Sequence, residues 1–366
     1  MHRRQTLFLL LLAALAIPLA PAREHDPEAQ VKSEIQRLQK SLKEHPVTDA
    51  PFGLPEALPK TLDEAAQELS AGRLYVSLEK LQLVEDWLQG ARLLAEKEEV
   101  AKQGLPAFES RWGKASMSLT ALEERSRQED GSPSPAAVRA LLQFSQVSAA
   151  GLIDGGRAFA TIGTPADGLF NLGQGMGETE FASFAASLHF PANKTALLLR
   201  SILPELIALQ AKTNAAFQPP KSIDQHGQFM AINSALKVAQ ELDARKFYAG
   251  ALYQYLEATL QYGMLNAPQV DSAALAELKS SLQAAGSKLQ KSATDESIVQ
   301  LFQQRAETIL SHADGSEPSA DERRGLKVYL TEVLPAYFSV RSGPAPSLTT
   351  PSGKAATLTL IRWPYT

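Results

Sequence analysis

Apolar residues recur at helical spacing along most of the chain. Near its beginning, Val31, Ile35, Leu38 and Leu42 lie three or four residues apart, and this spacing predicts an amphipathic helix over residues 26–44. The same spacing continues toward the C-terminus, interrupted by prolines and glycines, and predicts about a dozen helices of ordinary length. The fold class predicted from this pattern is all-α.

Prolines divide the helical pattern into segments. Pro46, Pro51, Pro55 and Pro59 fall close together in the sequence. Because a proline disfavours helical geometry in the residue before it, a cluster of four interrupts any helix that contains it. Residues 46–60 are therefore predicted to form an extended linker packed on the surface.

The helical segment after this linker has a recognisable start. Thr61 is followed three residues later by Glu64, which matches the capping-box pattern and predicts a helix that begins at Thr61. Farther along, Pro204 and Pro335 lie inside apolar periodic segments. Because proline lacks a backbone N–H and its ring clashes with the preceding turn, each is predicted to kink or end a helix.

Two segments of the chain are similar to one another. Residues 66–75 read AQELSAGRLY and residues 239–248 read AQELDARKFY, with six of ten positions identical, and a strongly apolar segment follows each. This pattern predicts two helical hairpins, which bury their apolar faces by stacking on neighbouring hairpins. The predicted architecture is therefore a set of stacked antiparallel helical hairpins, either solenoid-like or a bundle.

A third stretch carries a family motif. The sequence LFNLGQGM, from Leu169 to Met176, matches the W-x2-L-G-x2-Y spacing of tetratricopeptide repeats, with Leu and Met in place of the aromatic residues. Ala185 falls where that family has a small residue in its second helix, although the next aromatic residue is displaced to Phe190. The chain thus resembles the tetratricopeptide-repeat family, without its period of about 34 residues. The resemblance implies helical hairpins that bind peptides or proteins along a concave face.

The C-terminal end departs from the helical pattern. Glycine, proline, serine and threonine dominate residues 343–354, which predicts a linker, whereas the alternation from Thr357 to Trp363 predicts one short strand. A single strand is not stable alone, so it is expected to pair within this chain, to add to another chain or to lie along the helices. Trp363 is a candidate contact residue. The predicted signal peptide, N-terminal helix, linker, helical-hairpin domain, second linker and strand occupy residues 1–22, 23–45, 46–60, 61–342, 343–354 and 355–366.

The N-terminus matches a secretory signal peptide. Arg3 and Arg4 give a basic start, residues 7–17 form an unbroken apolar run, and residues 20–22 supply an A-x-A cleavage site. The arginine pair leaves open whether export follows the general or the twin-arginine route. Because the run is too short to span a bilayer and no other segment has the required apolar length, no transmembrane span is expected after cleavage. The mature protein is therefore predicted to be periplasmic or extracellular.

Composition narrows the function classes. The 366 residues are 44% hydrophobic and 21% charged, which is typical of globular proteins and excludes a mostly disordered chain. Lysine plus arginine number 36 against 40 acidic residues, a net charge of −4, and cleavage of the signal removes two arginines to leave −6. This balance does not predict a nucleic-acid partner. The absence of cysteine excludes disulfides, thiolate metal sites and cysteine nucleophiles.

Catalytic and metal-binding motifs are isolated or missing. Ser77–Lys80 and Ser234–Lys237 match the S-x-x-K spacing of a lysine-activated serine, but neither has a companion S-D-N or K-T-G motif. The six histidines are scattered, and no H-E-x-x-H occurs. The sequence therefore predicts no catalytic residue, no metal site and no cofactor.

Glycine is concentrated in one region. Eight of the 22 glycines lie between Gly151 and Gly177, a stretch in which Arg157 is the single positive charge. Small residues let helices approach closely, and this is the expected role. The alternative is a hinge or a pocket wall, where missing side chains leave room for a ligand. Arg157 is a candidate to pair with an anionic ligand or with Asp154.

Tyrosines form a stripe on one predicted helix. Tyr248, Tyr255 and Tyr262 are seven residues apart, and a tyrosine combines an apolar ring with a polar tip. Such a stripe suits a recognition groove, and these three residues are candidate binding residues. The alternative is a seam between helices whose hydroxyl groups reach the surface.

These observations favour an exported, non-catalytic helical binding or scaffold protein that engages a protein or peptide partner in the cell envelope. One alternative is a periplasmic protein that binds an apolar or lipid ligand between helices. Another is an all-α enzyme whose paired carboxylates are brought together only by the fold. The sequence predicts no oligomeric state.

Overall fold

The computed structural model describes residues 26–48, 50, 53–128, 134–191, 194–219, 223–311 and 316–342. Within these ranges the regular structure is helical, which confirms the all-α prediction, and no strand is present. The predicted strand at residues 355–366 lies outside the described residues, so nothing in the structure supports it. The helices are α1 (Pro27–Glu44), α2 (Leu54–Ser70), α3 (Leu74–Leu94), α4 (Lys97–Gln103), α5 (Leu105–Gln128), α6 (Ala136–Thr161), α7 (Leu169–Ser187), α8 (Leu203–Ala216), α9 (His226–Ala244), α10 (Tyr248–Asn266), α11 (Leu275–Gln290), α12 (Ser297–Leu310), α13 (Ala320–Val328) and α14 (Leu334–Ser342).

Helix α1 forms where its apolar spacing predicts it. The side chain of Asp26 caps the helix by accepting a hydrogen bond from the backbone N–H of Glu28 at 3.1 Å. Val31, Ile35 and Leu38 are buried on its inner face, where they pack with the core residues of neighbouring helices. The first helix of the predicted mature chain therefore packs on the helical body.

The prediction of a linker over residues 46–60 is wrong in its second half. Helix α2 already begins at Leu54, with Pro55 in its first turn and Pro59 inside it. Pro55 occupies a position whose N–H has no helical partner, and Pro59 removes a single hydrogen bond. Burial of Leu54 and Leu58 in the core offsets that loss. Thr61 therefore lies within the helix and does not cap it.

The two similar segments do form hairpins. The first spans the turn between α2 and α3, and the second spans the turn between α9 and α10. In both turns a backbone N–H reaches back five residues, from Arg73 to the carbonyl of Glu68 and from Phe247 to the carbonyl of Leu242. This is a Schellman motif, which requires a left-handed residue just after the helix. Equivalent residues of the two turns lie one residue farther apart along the chain than the matching residues of the two similar sequence segments.

The left-handed position is occupied differently in the two hairpins. Gly72 has φ +75° in the first turn, whereas Lys246 has φ +64° in the second. A side chain disfavours this conformation because its Cβ approaches a carbonyl oxygen, and glycine avoids the contact. The second hairpin therefore carries a local strain that the first does not.

Replacement of Lys246 by glycine is expected to stabilise the protein by about 0.5–1 kcal/mol, because the gain from relieved strain exceeds the added freedom of the unfolded chain. Urea denaturation followed by circular dichroism measures the change. Arg245→Gly is the control, because Arg245 has φ −81°. An equal gain in both variants would contradict the assignment of strain to Lys246.

Helix α7 lies between α3 and α6, and glycines bring the three backbones into contact. A methyl group placed on Gly177 would overlap the carbonyl oxygen of Glu85, and one placed on Gly173 would overlap that of Gln89, both on α3. On the opposite side, a methyl group on Gly175 would lie 2.7 Å from a side-chain carbon of Ile153 on α6. The glycine-rich region therefore serves close helix packing, as the sequence predicts.

The same glycines overturn the tetratricopeptide-like interpretation of this region. Residues 169–176 and Ala185 belong to one continuous helix, Leu169–Ser187, rather than to the two helices of a repeat. Glycines inside a helix weaken it when it stands alone. The helix nevertheless forms, because packing on both sides of α7 contributes more stability than the low helix propensity of its glycines removes.

Gly177→Ala is expected to destabilise the protein by about 1–3 kcal/mol, because the new methyl group forces α3 and α7 apart. Gly151 on α6 supplies the control, since nothing lies within 4 Å of the position its Cβ would take. Gly151→Ala should stabilise the protein by about 0.5–1 kcal/mol through helix propensity alone. Thermal unfolding measures the change in stability of both variants. Equal changes would contradict the packing argument.

The two interior prolines act at helix boundaries. Pro204 lies in the first turn of α8, where its missing N–H costs no hydrogen bond. Pro335 follows the π-helical turn Tyr329–Val333, in which the N–H of Leu334 bonds to the carbonyl of Tyr329. The wider turn accommodates the proline ring between α13 and α14. The prediction that Pro204 kinks or ends a helix is wrong, because Pro204 lies where a helix begins. Pro335 follows the point at which the π-helical turn interrupts the regular α-helix.

Among the described helices, α6 alone is long and apolar enough to span a bilayer by length and composition. More than half of its most apolar stretch is buried inside the protein. It contacts α7 on one side and α10 on another. These contacts are those of a central core helix.

Candidate functional site

A non-helical segment on the surface connects α7 to α8. One end of its described part is fixed by an isolated parallel bridge in which Thr195 donates to the carbonyl of Ala293 and accepts from the N–H of Asp295, each at 2.8 Å. The other end is fixed by Asp243 of α9, which accepts from the N–H of Ile202 at 2.8 Å and from the hydroxyl of Ser201 at 2.7 Å. The segment is therefore held at both ends.

Between these two anchors the backbone N–H groups are unpaired. Within the described part of the chain, no hydrogen bond uses a backbone N–H from Ala196 to Ser201. Side chains alternate along this stretch, since Leu197 is buried, Leu198 is exposed and Leu199 is half-buried. Such alternation indicates an extended chain with its hydrogen-bonding groups directed sideways. An exposed row of unpaired backbone groups is a template for another extended chain.

Exposed apolar side chains lie on this segment and on the helix that follows it. Leu198 is 91% exposed, and on α8 Leu203 is 44% and Ile207 is 57% exposed. Leu203 and Ile207 are four residues apart, so they share one face of the helix, and the exposed residues Ala211 and Ala215 extend it. We call this feature, from Leu198 through the outer face of α8, the Leu198–Ile207 surface.

Arg200 fixes this surface to the helices beneath it. Its guanidinium donates to Glu205 on α8 at 2.7 Å and to the carbonyl of Val340 on α14 at 3.2 Å. It also donates to the carbonyl of Ser201 at 2.8 Å. Because three elements share one guanidinium, the position of the segment relative to α8 is defined before any partner binds.

The tyrosine stripe lies in a seam between helices. Tyr248, Tyr255 and Tyr262 are half-buried on α10, and Tyr255 and Tyr262 pack against the hydrophobic core. Burial raises the pKa of the Tyr255 hydroxyl. This placement matches the seam alternative more closely than an open recognition groove, and the proposed binding surface does not use these residues.

A polar cluster lies beside the stripe. The guanidinium of Arg305 on α12 bonds to Glu79 on α3 and Glu257 on α10, and lies 4.9 Å from the ring centre of Phe302. The hydroxyl of Tyr253 donates to Glu79 at 2.8 Å. Every group in this cluster has a partner, so it joins three helices and leaves no free group for a ligand.

Of the two remaining predicted binding residues, Arg157 and Trp363, the structure describes only Arg157. The guanidinium of Arg157 lies over the ring of Trp112 at 3.9 Å and 4.0 Å from a carboxylate oxygen of Glu109. The expected pairing with Asp154 is therefore wrong, because the aromatic face of α5 is within reach and holds the cation. A role for Arg157 toward an anionic ligand stays a prediction. Trp363 lies outside the described residues.

Acidic side chains lie between α3 and α7, where Glu178 is buried and Asp86 is half-buried. Glu178 accepts from the side-chain amide of Gln82 at 2.9 Å, and burial raises the pKa of its carboxyl group. Asp86 accepts from Gln174 at 3.1 Å. Burial, together with the charge of Glu178, raises the pKa of Asp86 to about 7.

A second pair of carboxylates lies nearby. Glu85 is 3% exposed and bonds to Arg37 of α1 at 2.5 Å. Burial and the charge of Glu180 raise the pKa of Glu85 to about 8, because Arg37 offsets them only in part. Glu85 and Glu178 are enclosed by helix packing, whereas Glu180 is exposed, and this arrangement gives no support to the alternative of a carboxylate enzyme.

Sequence reasoning missed these acids because a charged residue on a helix is normally assigned to the solvent face. The signal that points to them lies on the partner helix. Gly173 and Gly177 allow α7 to approach α3 so closely that Glu85 and Glu178 are buried at the contact. A glycine pair opposite an acidic stretch therefore predicts buried carboxylates.

The other candidate catalytic and metal-binding side chains are either bonded to other groups or not clustered. Ser77 is fully buried and donates to the carbonyl of Ala65 at 2.8 Å, while Lys80 bonds to Glu64 at 2.6 Å. This pair is therefore not arranged as a serine–lysine dyad. In the part of the chain that the structure describes, no group of three acidic or histidine side chains is placed to hold a metal ion.

The comparisons with known proteins give no family for this chain. No family model matches it, and neither a curated protein nor a solved structure matches it. Functional inference therefore depends on the geometry described above.

The raised pKa of Asp86 predicts how stability depends on pH. The unfolded carboxyl loses its proton near its ordinary pKa of 3.8, whereas the folded one retains it to about 7. Ionisation therefore destabilises the fold progressively between these values and by a constant amount above them. Asp86→Asn removes this penalty, so its stabilising effect should grow by about 1–3 kcal/mol between pH 5 and pH 8.

Urea denaturation of the wild type and Asp86→Asn at both pH values measures this growth. Asp154→Asn, at an exposed position on α6, controls for the loss of a negative charge. A stability difference between Asp86→Asn and the wild type that stays the same at pH 5 and pH 8 would contradict a raised pKa of the half-buried Asp86 carboxyl group.

Proposed function

We propose that this protein is an exported, non-catalytic binding protein that engages a partner protein in the cell envelope through the Leu198–Ile207 surface. The observation that carries the proposal is the run of unpaired backbone N–H groups from Ala196 to Ser201, which is held between two anchors and followed in the chain by the exposed leucine and isoleucine side chains of α8. A row of free amide groups beside an apolar helix face is a binding surface that needs no further rearrangement.

The occupant of this surface is an extended segment of the partner. Backbone N–H groups need carbonyl acceptors, and a second extended chain supplies them at matching spacing. The apolar side chains of that chain would pack on Leu203 and Ile207, which gives the contact its specificity. A lipid tail satisfies the apolar groups but leaves the amides unpaired, so the surface favours a peptide over an acyl chain.

Export is the part of the proposal that rests on the sequence. N-terminal sequencing of the protein purified from its native host is expected to begin at Arg23, after the A-x-A site. A chain that retains Met1 or its immediate neighbours would contradict signal cleavage, and would leave the binding surface to be tested separately.

Substitution at the surface tests the binding function. Leu198→Asp and Ile207→Asp each place a charge where an apolar side chain of the partner would pack, and both positions are exposed enough to leave the fold intact. Met117→Asp is the matched control, because Met117 is 74% exposed on α5. Affinity for the partner should fall at least tenfold in the first two variants and stay unchanged in the third.

The partner is first isolated by affinity capture from the host envelope with the mature chain as bait. Hydrogen exchange of the complex then gives the second readout, since the amides of residues 196–201 should exchange more slowly when the partner is bound. Retention of the partner by Leu198→Asp, or unchanged exchange at these amides, would overturn the proposed surface.

A further inference from the structure

A pocket of about 500 Å³ opens between the C-terminal half of α11 and the last helix, α14. Lys288 and Lys291 line one side, and Phe338 and Arg341 line the other. Its volume falls within the range of small-molecule sites, about 300–1,000 Å³. The pocket combines cationic side chains with an aromatic wall.

The acidic residue of this pocket is already neutralised by internal partners. Glu296 is fully buried and accepts from Arg341 at 2.5 Å, from the hydroxyl of Tyr337 at 2.5 Å and from the hydroxyl of Ser292 at 2.9 Å. Arg341 also donates to the hydroxyl of Thr294 at 3.2 Å. These bonds hold the guanidinium at the pocket wall, so it requires no ordering when a ligand binds.

The two lysines are not neutralised in this way. Among the described residues, neither Lys288 nor Lys291 has a carboxylate within ion-pair distance. The ammonium group of Lys288 lies 5.3 Å from the ring centre of Phe338, which places it beside the aromatic wall. With three cationic groups and one carboxylate, the lining carries a net charge of +2 on a protein whose overall charge is negative.

Lysines are common in the last turn of a helix, where they offset the dipole, and this explains their residue type without a ligand. It does not explain the aromatic wall or the buried carboxylate that fixes Arg341. We propose that this pocket binds a small organic anion, in which a carboxylate, sulfonate or phosphate group is attached to an apolar body. The anionic group contacts Lys288 and Lys291, and the apolar body lies against Phe338.

The bound anion comes from one of two sources. A free small molecule would enter the pocket alone, whereas an acidic side chain would arrive as part of the partner protein. The pocket lies near the anchored end of the segment that leads to the Leu198–Ile207 surface, because Arg341 contacts Thr294 and Thr294 pairs with Thr195. Binding of an organic anion in this pocket does not depend on the proposed partner, whereas the second of these two sources does.

The test uses the mature protein and the fluorescent probe 8-anilinonaphthalene-1-sulfonate, an anion on an aromatic body. One saturable site is expected. The double variant Lys288→Gln/Lys291→Gln should weaken its binding at least tenfold, because both ammonium contacts are lost. Lys279→Gln, at an exposed position on the same helix, should leave it unchanged, and circular dichroism checks that each variant is folded.

Competition identifies the ligand chemistry. Benzoate and octanoate should displace the probe, whereas inorganic phosphate at equal ionic strength should displace it at least tenfold less effectively. Equal displacement by phosphate would overturn the requirement for an apolar body. Unchanged probe binding in the double lysine variant would overturn the site.

Two further measurements separate this inference from the proposed function. Leu198→Asp should leave displaceable probe binding intact even where it abolishes capture of the partner. A pentapeptide with a central glutamate is the second competitor. If it displaces the probe more strongly than octanoate does, the anion is a side chain of the partner, and a free small molecule is overturned as its source.

Discussion

The close approach of α7 to α3 and α6 is the constraint on which the rest of the fold depends. Glycines at the contacts let backbones meet without intervening side chains, and a methyl group at Gly173 or Gly177 would overlap a carbonyl oxygen of α3. Such packing excludes water from the seam, so Glu85 and Glu178 are buried with it. The pKa values of these carboxyl groups are raised for the same reason that the helices fit together. Packing and electrostatics at the centre of the protein therefore have one cause.

Much of the fold follows from local sequence. Apolar periodicity locates the helices, and the AQEL segments locate two hairpin turns, because both kinds of signal depend on residues close together in the chain. The errors arise where a tertiary contact overrides a local rule. Pro59 lies inside α2 because the burial of Leu58 compensates for a lost hydrogen bond. Likewise, α7 continues past its glycines as one helix because its neighbours support it.

The candidate surface could be predicted less well, because no local signal defines it. The tyrosines that attract attention in the sequence are distributed along a helix seam, whereas the exposed leucines lie in a short irregular segment. What distinguishes that segment is its anchoring by Asp243, more than 40 residues away, and by the Thr195–Thr294 bridge. The unpaired state of its backbone can be recognised only after the partners of all nearby groups are known.

Three consecutive residues before α12 connect the regions of interest. Thr294 pairs with Thr195 and so holds the segment that leads to the exposed leucines. Asp295 accepts from the first backbone N–H of α6 at 2.6 Å, and Glu296 fixes Arg341 at the wall of the basic pocket. Each contact spans a long stretch of chain. The first uses backbone groups of Ala293 and Asp295, and the other two use carboxylate side chains. The surface and the pocket are therefore positioned by one polar turn, and this explains why two features absent from any sequence motif lie side by side.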